Sequence, residues 1–583
     1  MRVAVCVKPA PQPGEMAFDA TRGRLVRGRL ALRLGKADVA ALAWGVHLTT
    51  DVLALAMAPP AGRDALLEAL RNGVGRAVLL CDPRFAGSDA MATAQVLAQY
   101  LRQDPPDLVL CGNRSADGRT GQVGPMLAAL LGWPLIADAV AVRRREGTSA
   151  LTVTRQAAGH RERASIDLPA VVTVREAAAA ARRAAAPPQS AATVVVLDAA
   201  SAHVQAPESR TCVLGTERRP LDRQGLVLVA PSSGQAQAAI ADALRQTLGA
   251  DGKSCSRPSE RYGLPVWVVG SAREGESATA GLIGQGRRLV GPGGQVTVWV
   301  RGHPELSCVD AWSAAGAHRV VSVEGPHRAL PDARVFVDAL AAVARRDRPG
   351  LILVSASNTG RAVGARLAGA LGAGMIGDAW DVRWNGGRLL GYKPVVGQRT
   401  AVIGATTQPT IISAAPGMFA PPAGRLNGAA VHDTVVVSGR PPRWRALPEA
   451  ATGWAPSADA KVVLGVGLGV GRAGVATVAA IARASGFGIA ATLDVVEEGW
   501  LPEALQVGLS GRAISPTVYV ALGISGAAEH LAGLRGAHVI VAVNRDPTAP
   551  IFRQADVGLV ADWRDVLTWL ASILRDVAPQ ASA

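Results

Sequence analysis

The chain carries an internal duplication, which constrains its fold more tightly than any single motif. Residues 106–138 run Pro-Asp-Leu-Val-Leu-Cys-Gly, then Thr120-Gly121-Gln-Val-Gly124, then Leu-Ala-Ala-Leu-Leu-Gly-Trp-Pro-Leu-Ile-Ala-Asp138. Residues 349–378 run Pro-Gly-Leu-Ile-Leu-Val-Ser, then Thr359-Gly360-Arg-Ala-Val-Gly364, then Leu-Ala-Gly-Ala-Leu-Gly-Ala-Gly-Met-Ile-Gly-Asp378. Upstream, Gly73-Val-Gly-Arg-Ala-Val-Leu-Leu80 parallels Gly316-Ala-His-Arg-Val-Val-Ser-Val323. Each copy predicts strand, helix, strand, helix, strand, Thr-Gly turn, helix. Runs such as Asp51–Leu55, Ala77–Leu80 and Leu108–Leu110 lack polar alternation, as strands covered on both faces do, and Ser88–Arg102 has helical apolar spacing. Alternation of this kind predicts an α/β fold of doubly wound, Rossmann-like parallel sheets with right-handed crossovers. Ligands of such sheets bind beyond the carboxyl ends of the strands, where the Thr-Gly turns lie.

A third unit follows. Lys461-Val-Val-Leu-Gly465-Val-Gly467-Leu-Gly469-Val-Gly471 reads as a strand entering a glycine loop, and Ala473–Ala484 as the next helix. Further strands are expected at Thr517–Leu522, His538–Val543 and Val557–Val560, with a last helix near Asp565–Arg575. Composition shifts set the boundaries: a first unit at 1–205, a linker at 206–225, a second unit at 226–437, a Pro/Arg-rich connector at 438–458 and a third unit at 459–583. Residues 175–193 are Ala-rich with a Pro-Pro step, a helix and loop or plain linker.

With 583 residues, 49% of them hydrophobic and 18% charged, the chain can bury several cores. Its formal charge of +15 raises the question of nucleic acid, but five lysines among 61 basic residues and scattered arginines form no dense block. No nucleic-acid groove is expected. Six cysteines with neither a C-x-x-C pair nor zinc spacing indicate a reducing compartment, and a cytoplasmic location is expected. The opening apolar run ending at Lys8 is too short for a signal-peptide core. The longest apolar stretch, 462–482, is Gly-rich and carries Arg472, so an integral membrane protein is not expected. The sequence has no Gly-x-Ser-x-Gly elbow, no His-Glu-x-x-His and no Walker loop, which leaves hydrolase chemistry without a motif.

Glycines between a strand and a helix let backbone approach a phosphate, and the helix start supplies amide donors. Gly465, Gly467 and Gly469 have that setting, and so does the Thr120–Pro125 turn after Asp117-Gly118. Either could equally be a tight turn or a cap without ligand, and Thr359-Gly360 is open to the same two readings. The densest polar group comprises Gln506, Ser510, Ser525, Glu529, His530, Asn544, Asp546 and Asp562, all near predicted strand ends.

The run Pro516-Thr-Val-Tyr-Val-Ala-Leu-Gly-Ile-Ser-Gly-Ala-Ala-Glu-His-Leu-Ala-Gly-Leu534, with Val539–Phe552 and Ala555–Asp562, closely resembles the FAD domain of the electron-transfer flavoprotein alpha subunit. Residues 226–425, including Ser357-Asn-Thr-Gly360 and Ala414-Ala-Pro-Gly-Met-Phe419, resemble that subunit's N-terminal domain. Residues 1–200 resemble the beta subunit through Val3-Ala-Val-Cys-Val-Lys8 and Asp117-Gly-Arg-Thr-Gly-Gln-Val-Gly-Pro125. The resemblance implies a beta–alpha fusion with FAD in the third unit and AMP in the first. It implies electron transfer from a flavin dehydrogenase to a membrane quinone oxidoreductase or another acceptor.

Carried over from the resemblance, Ser510 lies near flavin N5, Ser525 beside the pyrophosphate and His530 near the pyrimidine end. Gly465, Gly467, Gln506, Val507, Gly508 and Gly523 line the cofactor, and Asn544 and Asp562 reach the adenosine half. Cys6, Met57 and the turn Gly121-Gln122-Val123 fall at the AMP. The chain departs from the family pattern where Leu464-Gly-Val-Gly-Leu468 lacks an arginine and where Leu493 replaces an arginine over the ring. Glu529 stands for a glutamine, and Ala/Pro-rich sequence near 176–190 replaces the segment that recognises dehydrogenases. With both arginines gone, His530, if protonated, is the main remaining cation, and a flavin harder to reduce is expected. Two alternatives stand beside the carrier: a structural nucleotide-binding protein without redox function, and a bifurcating relative with two FADs.

Overall fold

The computed structural model describes residues 1–11, 18–19, 24–25, 31–145, 147–156, 161–176, 193–206, 208–218, 223, 225–250, 265–271, 276–290, 294–326, 333–395, 399–414, 419, 430–438, 444–447, 460–502, 505–508, 511–534 and 536–577. The duplication is a structural one. The first sheet runs Val194–Leu197, Arg76–Leu80, Val52–Met57, Val3–Val7, Leu108–Gly112, Ala170–Val174, Leu135–Arg144. The second runs Val431–Val436, Arg319–Glu324, Val296–Arg301, Val266–Gly270, Leu351–Ser355, Thr410–Ala414, Met375–Ala379, the same order strand for strand. Every neighbouring pair in these two series is parallel. The first sheet continues antiparallel through Ala150–Gln156, Arg161–Asp167 and Trp444–Leu447.

The repeat extends to a costly backbone detail. Asp138 and Asp378 both hold positive φ, 62° and 54°. Each has its N–H tied to a hydroxyl on the neighbouring strand, Thr173 Oγ1 at 3.0 Å and Ser413 Oγ at 2.8 Å. The two units meet through the helices Val123–Leu131, which follows the turn at Thr120-Gly121, and Asn358–Leu371, whose first turn contains Thr359-Gly360 behind the capping Ser357. At Gly369 an added Cβ would lie 2.9 Å from the Met126 carbonyl oxygen, so the close approach requires glycine.

The third sheet is parallel throughout, in the order Leu226–Val229, Val557–Val560, Val539–Asn544, Val518–Leu522, Val462–Val466, Gly488–Ala491. Its core unites Leu464, Val520, Val541 and Leu559 with Ile240 and Leu244 from the middle of the chain.

That last pairing corrects the sequence boundaries. The strand Leu226–Val229 and helix Ser233–Ala250, expected to open the second unit, complete the third sheet instead. The expected linker 206–225 contains the strand Thr211–Arg218, antiparallel to Arg399–Ala405 of the second unit. The expected connector 438–458 contains Trp444–Leu447, antiparallel to Arg161–Asp167 of the first. A short apolar run states that it is extended, not which sheet edge it will join, so composition could not reveal these crossings. The low-complexity residues 177–192 lie outside the described residues. Among the described residues no helix is long and apolar enough to cross a membrane; the stretch from 462 forms a strand, a turn and the helix Gly474–Ser485.

Candidate functional site

The strands Val462–Val466 and Val518–Leu522 of the third sheet are neighbours whose following connections leave to opposite sides, which makes their carboxyl ends a topological switch point. The two glycine turns there are packed face to face. A Cβ on Gly467 would lie 2.3 Å from the Gly523 carbonyl oxygen, and one on Gly469 2.8 Å from the Gly523 Cα. Gly465 is held bare by the Tyr519 hydroxyl, 1.8 Å from where its Cβ would be. Of the two readings left open for these glycines, close packing accounts for their bareness.

His530 sits beneath. Its Nε2 is 2.9 Å from the Tyr519 hydroxyl and its Nδ1 3.0 Å from the Val507 carbonyl oxygen. The carbonyl can only accept, so Nδ1 carries the proton and Tyr519 donates to Nε2. Burial drives His530 down to about 4 and raises the Tyr519 phenol. Protonation, the condition on which His530 would be the main remaining cation, is disfavoured: burial keeps the ring neutral near pH 7, and both of its nitrogens hold protein partners. What it does is fix Val507 in the loop 506–512.

The described residues on either side of 509–510 are bonded to one another. Arg512 N–H donates to the Gln506 carbonyl at 2.8 Å, Gly508 N–H to the Arg512 carbonyl at 3.0 Å, and Val507 N–H to the Ala491 carbonyl at 2.9 Å. Gly508 adopts φ 138°, and its Cβ position lies 2.7 Å from the Glu529 carbonyl oxygen, so both backbone and space require glycine there. Ser510 lies outside the described residues. Asn544 has both ends of its amide engaged, donating to the Ile524 carbonyl at 3.0 Å and accepting from Asp546 N–H at 3.0 Å, and so braces the turn that exposes Ser525. Asp562 caps the helix Trp563–Val577 through Arg564 N–H at 2.9 Å and lies 3.4 Å from the Arg545 guanidinium. Leu493 is 40% exposed at the start of the short helix Leu493–Glu497, and Glu529 is exposed.

Three groups at this site escaped the sequence reading. The Thr492 hydroxyl is buried without a hydrogen-bond partner among the described residues. The Arg512 guanidinium has no hydrogen bond or ion pair among the described residues, and burial followed by Arg175 depresses its pKa. Tyr519 was the legible one: a tyrosine amid Val-Tyr-Val-Ala-Leu needs a buried partner, and the ring of His530 is the polar group within reach.

In the first unit the equivalent switch point lies between Val3–Val7 and Leu108–Gly112. Asp38 closes it: its carboxylate accepts from Lys8 N–H at 3.1 Å, and burial pushes it up to about 7. Lys8 Nζ reaches Asp117 at 2.8 Å across the same opening. Cys6 and Cys111 are buried register partners here, and Met57 ends the adjacent strand, half-buried. Gly121 holds φ 64° and opens the helix with Val123. Gln122 is buried and donates Nε2 to the Met375 carbonyl at 3.2 Å, so this expected AMP residue ties the first unit to the second.

Behind the turn, cations from both units gather. Lys393 Nζ donates to the Gly118 carbonyl at 2.9 Å, and Arg361 pairs with Asp378 at 2.6 Å. Burial and then Arg361 bring Arg114 down to about 9, and burial depresses Arg119 and Lys393. Burial works against Asp378 ionising, yet Arg361, Lys393 and Arg114 together hold its pKa below the ordinary value. Such a junction favours an anion.

A family model described as "Electron transfer flavoprotein domain" matches residues 23–202 and again 266–438, one match for each copy of the duplication. The chain belongs to the electron transfer flavoprotein family. A second model, "Electron transfer flavoprotein FAD-binding domain", matches residues 457–535. The chain is 33% identical to the electron transfer flavoprotein subunit alpha of Mycobacterium leprae over 286 residues, 46% of this chain and 86% of that protein. It is 28% identical to protein FixB of Clostridium saccharobutylicum over 323 residues, 54% of this chain and 96% of that one. An acryloyl-CoA reductase electron transfer subunit beta of Anaerotignum propionicum is 25% identical over 350 residues, 53% and 95% of the two chains. Membership in the electron transfer flavoprotein family assigns an electron-transfer role to this fold.

Proposed function

We propose that the chain is a self-contained electron carrier, a beta-like and an alpha-like electron transfer flavoprotein subunit joined in that order, with one non-covalent FAD on the third unit and AMP on the first. The observation that carries the flavin assignment is the Thr492 hydroxyl, buried without a protein partner among the described residues at a strand end of the unit that matches the FAD-binding domain. Buried polar groups ordinarily find partners, so an orphan at the ligand end of such a sheet favours a ligand.

FAD, when bound, would supply the centre that takes and gives up electrons. The chain's own contribution is to hold and shield it. Thr492, Gln506–Gly508, Arg512 and the turn at Ser525 would receive it. Tyr519 and His530 keep Val507 in place, and Asn544 keeps the Ser525 turn in place. In the first unit the amides from Gly121 to Val123 suit one phosphate, with Arg119 as counter-charge. The donor on this reading is a flavin dehydrogenase and the acceptor a membrane quinone oxidoreductase or other oxidant, with the whole in the cytoplasm and no nucleic-acid partner.

A second reading, two FADs and no AMP, is favoured by the cations behind the first turn: Arg114, Arg119, Arg361 and Lys393 form a wider positive surface than one phosphate requires. One experiment separates them. The purified protein is denatured and its flavin and AMP are counted per chain. One flavin with one AMP supports the carrier, and two flavins without AMP support the second reading. A colourless chain that gains no flavin spectrum in excess FAD leaves only the structural nucleotide-binding role.

A further inference from the structure

The first unit departs from its own repeat at one rung of the sheet. Cys6 and Cys111 are register partners on the neighbouring parallel strands Val3–Val7 and Leu108–Gly112. At the matching rung of the second unit, on Val266–Gly270 and Leu351–Ser355, the partners are Val269 and Val354. All four side chains are buried, so packing at this rung asks only for small apolar groups. A buried cysteine meets that need as valine does; what it adds is reactivity. The sequence has no C-x-x-C pair, and it is the fold that brings these two thiols to one rung.

Strand geometry sets the separation. Neighbouring strands lie about 4.8 Å apart, inside the ~4.4–6.8 Å that the two Cα atoms of a disulfide span. Partners on one rung of a parallel pair point to the same face, and both cysteines belong to one apolar cluster with Leu55 and Leu127. The Cys6 thiol beside it, then burial, holds the Cys111 thiol well above its ordinary pKa. Cys111 also supports the helix Val123–Leu131: its Sγ lies 3.8 Å from where a Cβ on Gly124 would be. Thr173 Cγ2 lies 2.5 Å from that same point, and Thr173 is the next partner of Cys111 along the rung. The first turn of the helix therefore rests on this rung. Each cysteine is one residue short of the carboxyl end of its strand, the end where such sheets take ligands.

We propose that Cys6 and Cys111 are a redox pair beneath the first nucleotide site, closed to a disulfide by hydrogen peroxide and reopened by a thiol, and that closing weakens AMP binding. The effect on AMP rests on the reading of that site given above; the disulfide rests on the strand pairing alone. In the first step the Cys6 sulfur attacks the peroxide: an S–O bond forms, the O–O bond breaks, and one water leaves. In the second the Cys111 sulfur displaces the hydroxyl of the Cys6 sulfenic acid, and its proton departs with that hydroxyl as a second water. Two thiols thus give up two electrons, and one peroxide is reduced to two waters. Closing draws the two Cβ atoms to about 3.8 Å, nearer than the strand spacing. That movement takes the Cys111 sulfur away from Gly124 and withdraws support from the turn Gly121–Val123, whose amides would hold the phosphate.

The test uses the full chain, reduced, treated with hydrogen peroxide, alkylated, digested and mapped by mass spectrometry. The expected product is a peptide carrying Cys6 joined to one carrying Cys111, lighter than the dithiol by two hydrogens and separated by dithiothreitol. Both thiols alkylated, or Cys6 carried on to sulfinic acid with Cys111 free, overturns the pair. AMP binding is then measured by equilibrium dialysis on the reduced and the oxidised chain, with an expected loss of about tenfold on oxidation, within the usual range for coupled sites. A linked chain that binds AMP as tightly as the reduced one overturns the switch and leaves the disulfide. Cys111→Val, the side chain found at the same rung of the second unit, should abolish the effect of peroxide on AMP binding. A loss as large as that of the wild type overturns the role of this pair. If that variant fails to fold, Cys111→Ser carries the same comparison. A reduced wild-type chain that takes up no AMP removes the nucleotide reading and the switch together, while the linked peptide still decides the disulfide.

Discussion

Asp38 and His530 are both buried titratable groups, their pKa values displaced in opposite directions and each toward the neutral form. Burial raises Asp38 to about 7, so the folded chain keeps a proton through pH 4–7 that the unfolded chain has lost. Stability contributed by this residue therefore falls as pH rises across that window. Asp38→Asn keeps an acceptor for Lys8 N–H, and it should flatten the profile and stabilise the protein at pH 8 by on the order of 1–3 kcal/mol, checked by urea unfolding at pH 5 and 8. His530, lowered to about 4, works the other way: its contribution is present above pH 6.5 and is lost as pH falls toward 4. Tyr519→Phe removes the donor to Nε2, with an expected loss of about 1–3 kcal/mol and a loosened 506–512 loop seen as weaker FAD retention on dialysis. At position 493 the exposed leucine leaves room for a longer cation. Leu493→Arg should raise the flavin midpoint, each tenfold preference for the reduced form being ~59 mV in a one-electron couple. An unmoved potential in a folded, FAD-bound variant would mean residue 493 does not face the ring.

At the scale of elements, the glycine turns separate two kinds of glycine. Gly467→Ala drives a methyl into the Gly523 carbonyl at 2.3 Å, and backbone cannot step aside cheaply. Gly471→Ala meets open space, with φ 73° as its main penalty. Thermal melts should show a loss of about 1–3 kcal/mol for the first and about 1 kcal/mol for the second. Gly467→Ala melting like wild type would mean the turns are not packed as described. The contrast also shows what the amino-acid order could and could not convey. The duplicated strand order was readable because each copy repeats local patterns at matching spacing. The strand Leu226–Val229 was readable as a strand, but its partner Val557–Val560 lies more than three hundred residues away, and nothing local in Leu-Val-Leu-Val selects that edge. The site followed the same rule. Ser525, Asn544 and His530 stood out by type and position, whereas the roles of Tyr519, Thr492 and Arg512 depend on what fails to reach them, which only packing reveals.

The whole molecule is interlaced. The helix Ser233–Ala250 and strand Leu226–Val229 lie in the third unit, while the strands before and after them, Thr211–Arg218 and Val266–Gly270, lie in sheets of the second. Residues 456–583 expressed alone should therefore melt low or aggregate, with Val557–Val560 as a bare edge and the core lacking Ile240 and Leu244. Supplying 223–250 on the same polypeptide should restore a cooperative transition in far-ultraviolet circular dichroism. Equal stability with and without that segment would contradict the shared core.

In an assembly of separate chains, a borrowed strand and helix can be lost by dilution. Here the segment that completes the third sheet is anchored in the same polypeptide on both sides. Its re-docking is a unimolecular event, governed by an effective concentration that is typically ~millimolar for short tethers, whatever the amount of protein in solution. Synthesis of one chain also delivers the pieces in fixed one-to-one proportion. No separate piece with an open sheet edge accumulates, and at nanomolar concentrations, where separate chains would come apart, the third sheet stays whole.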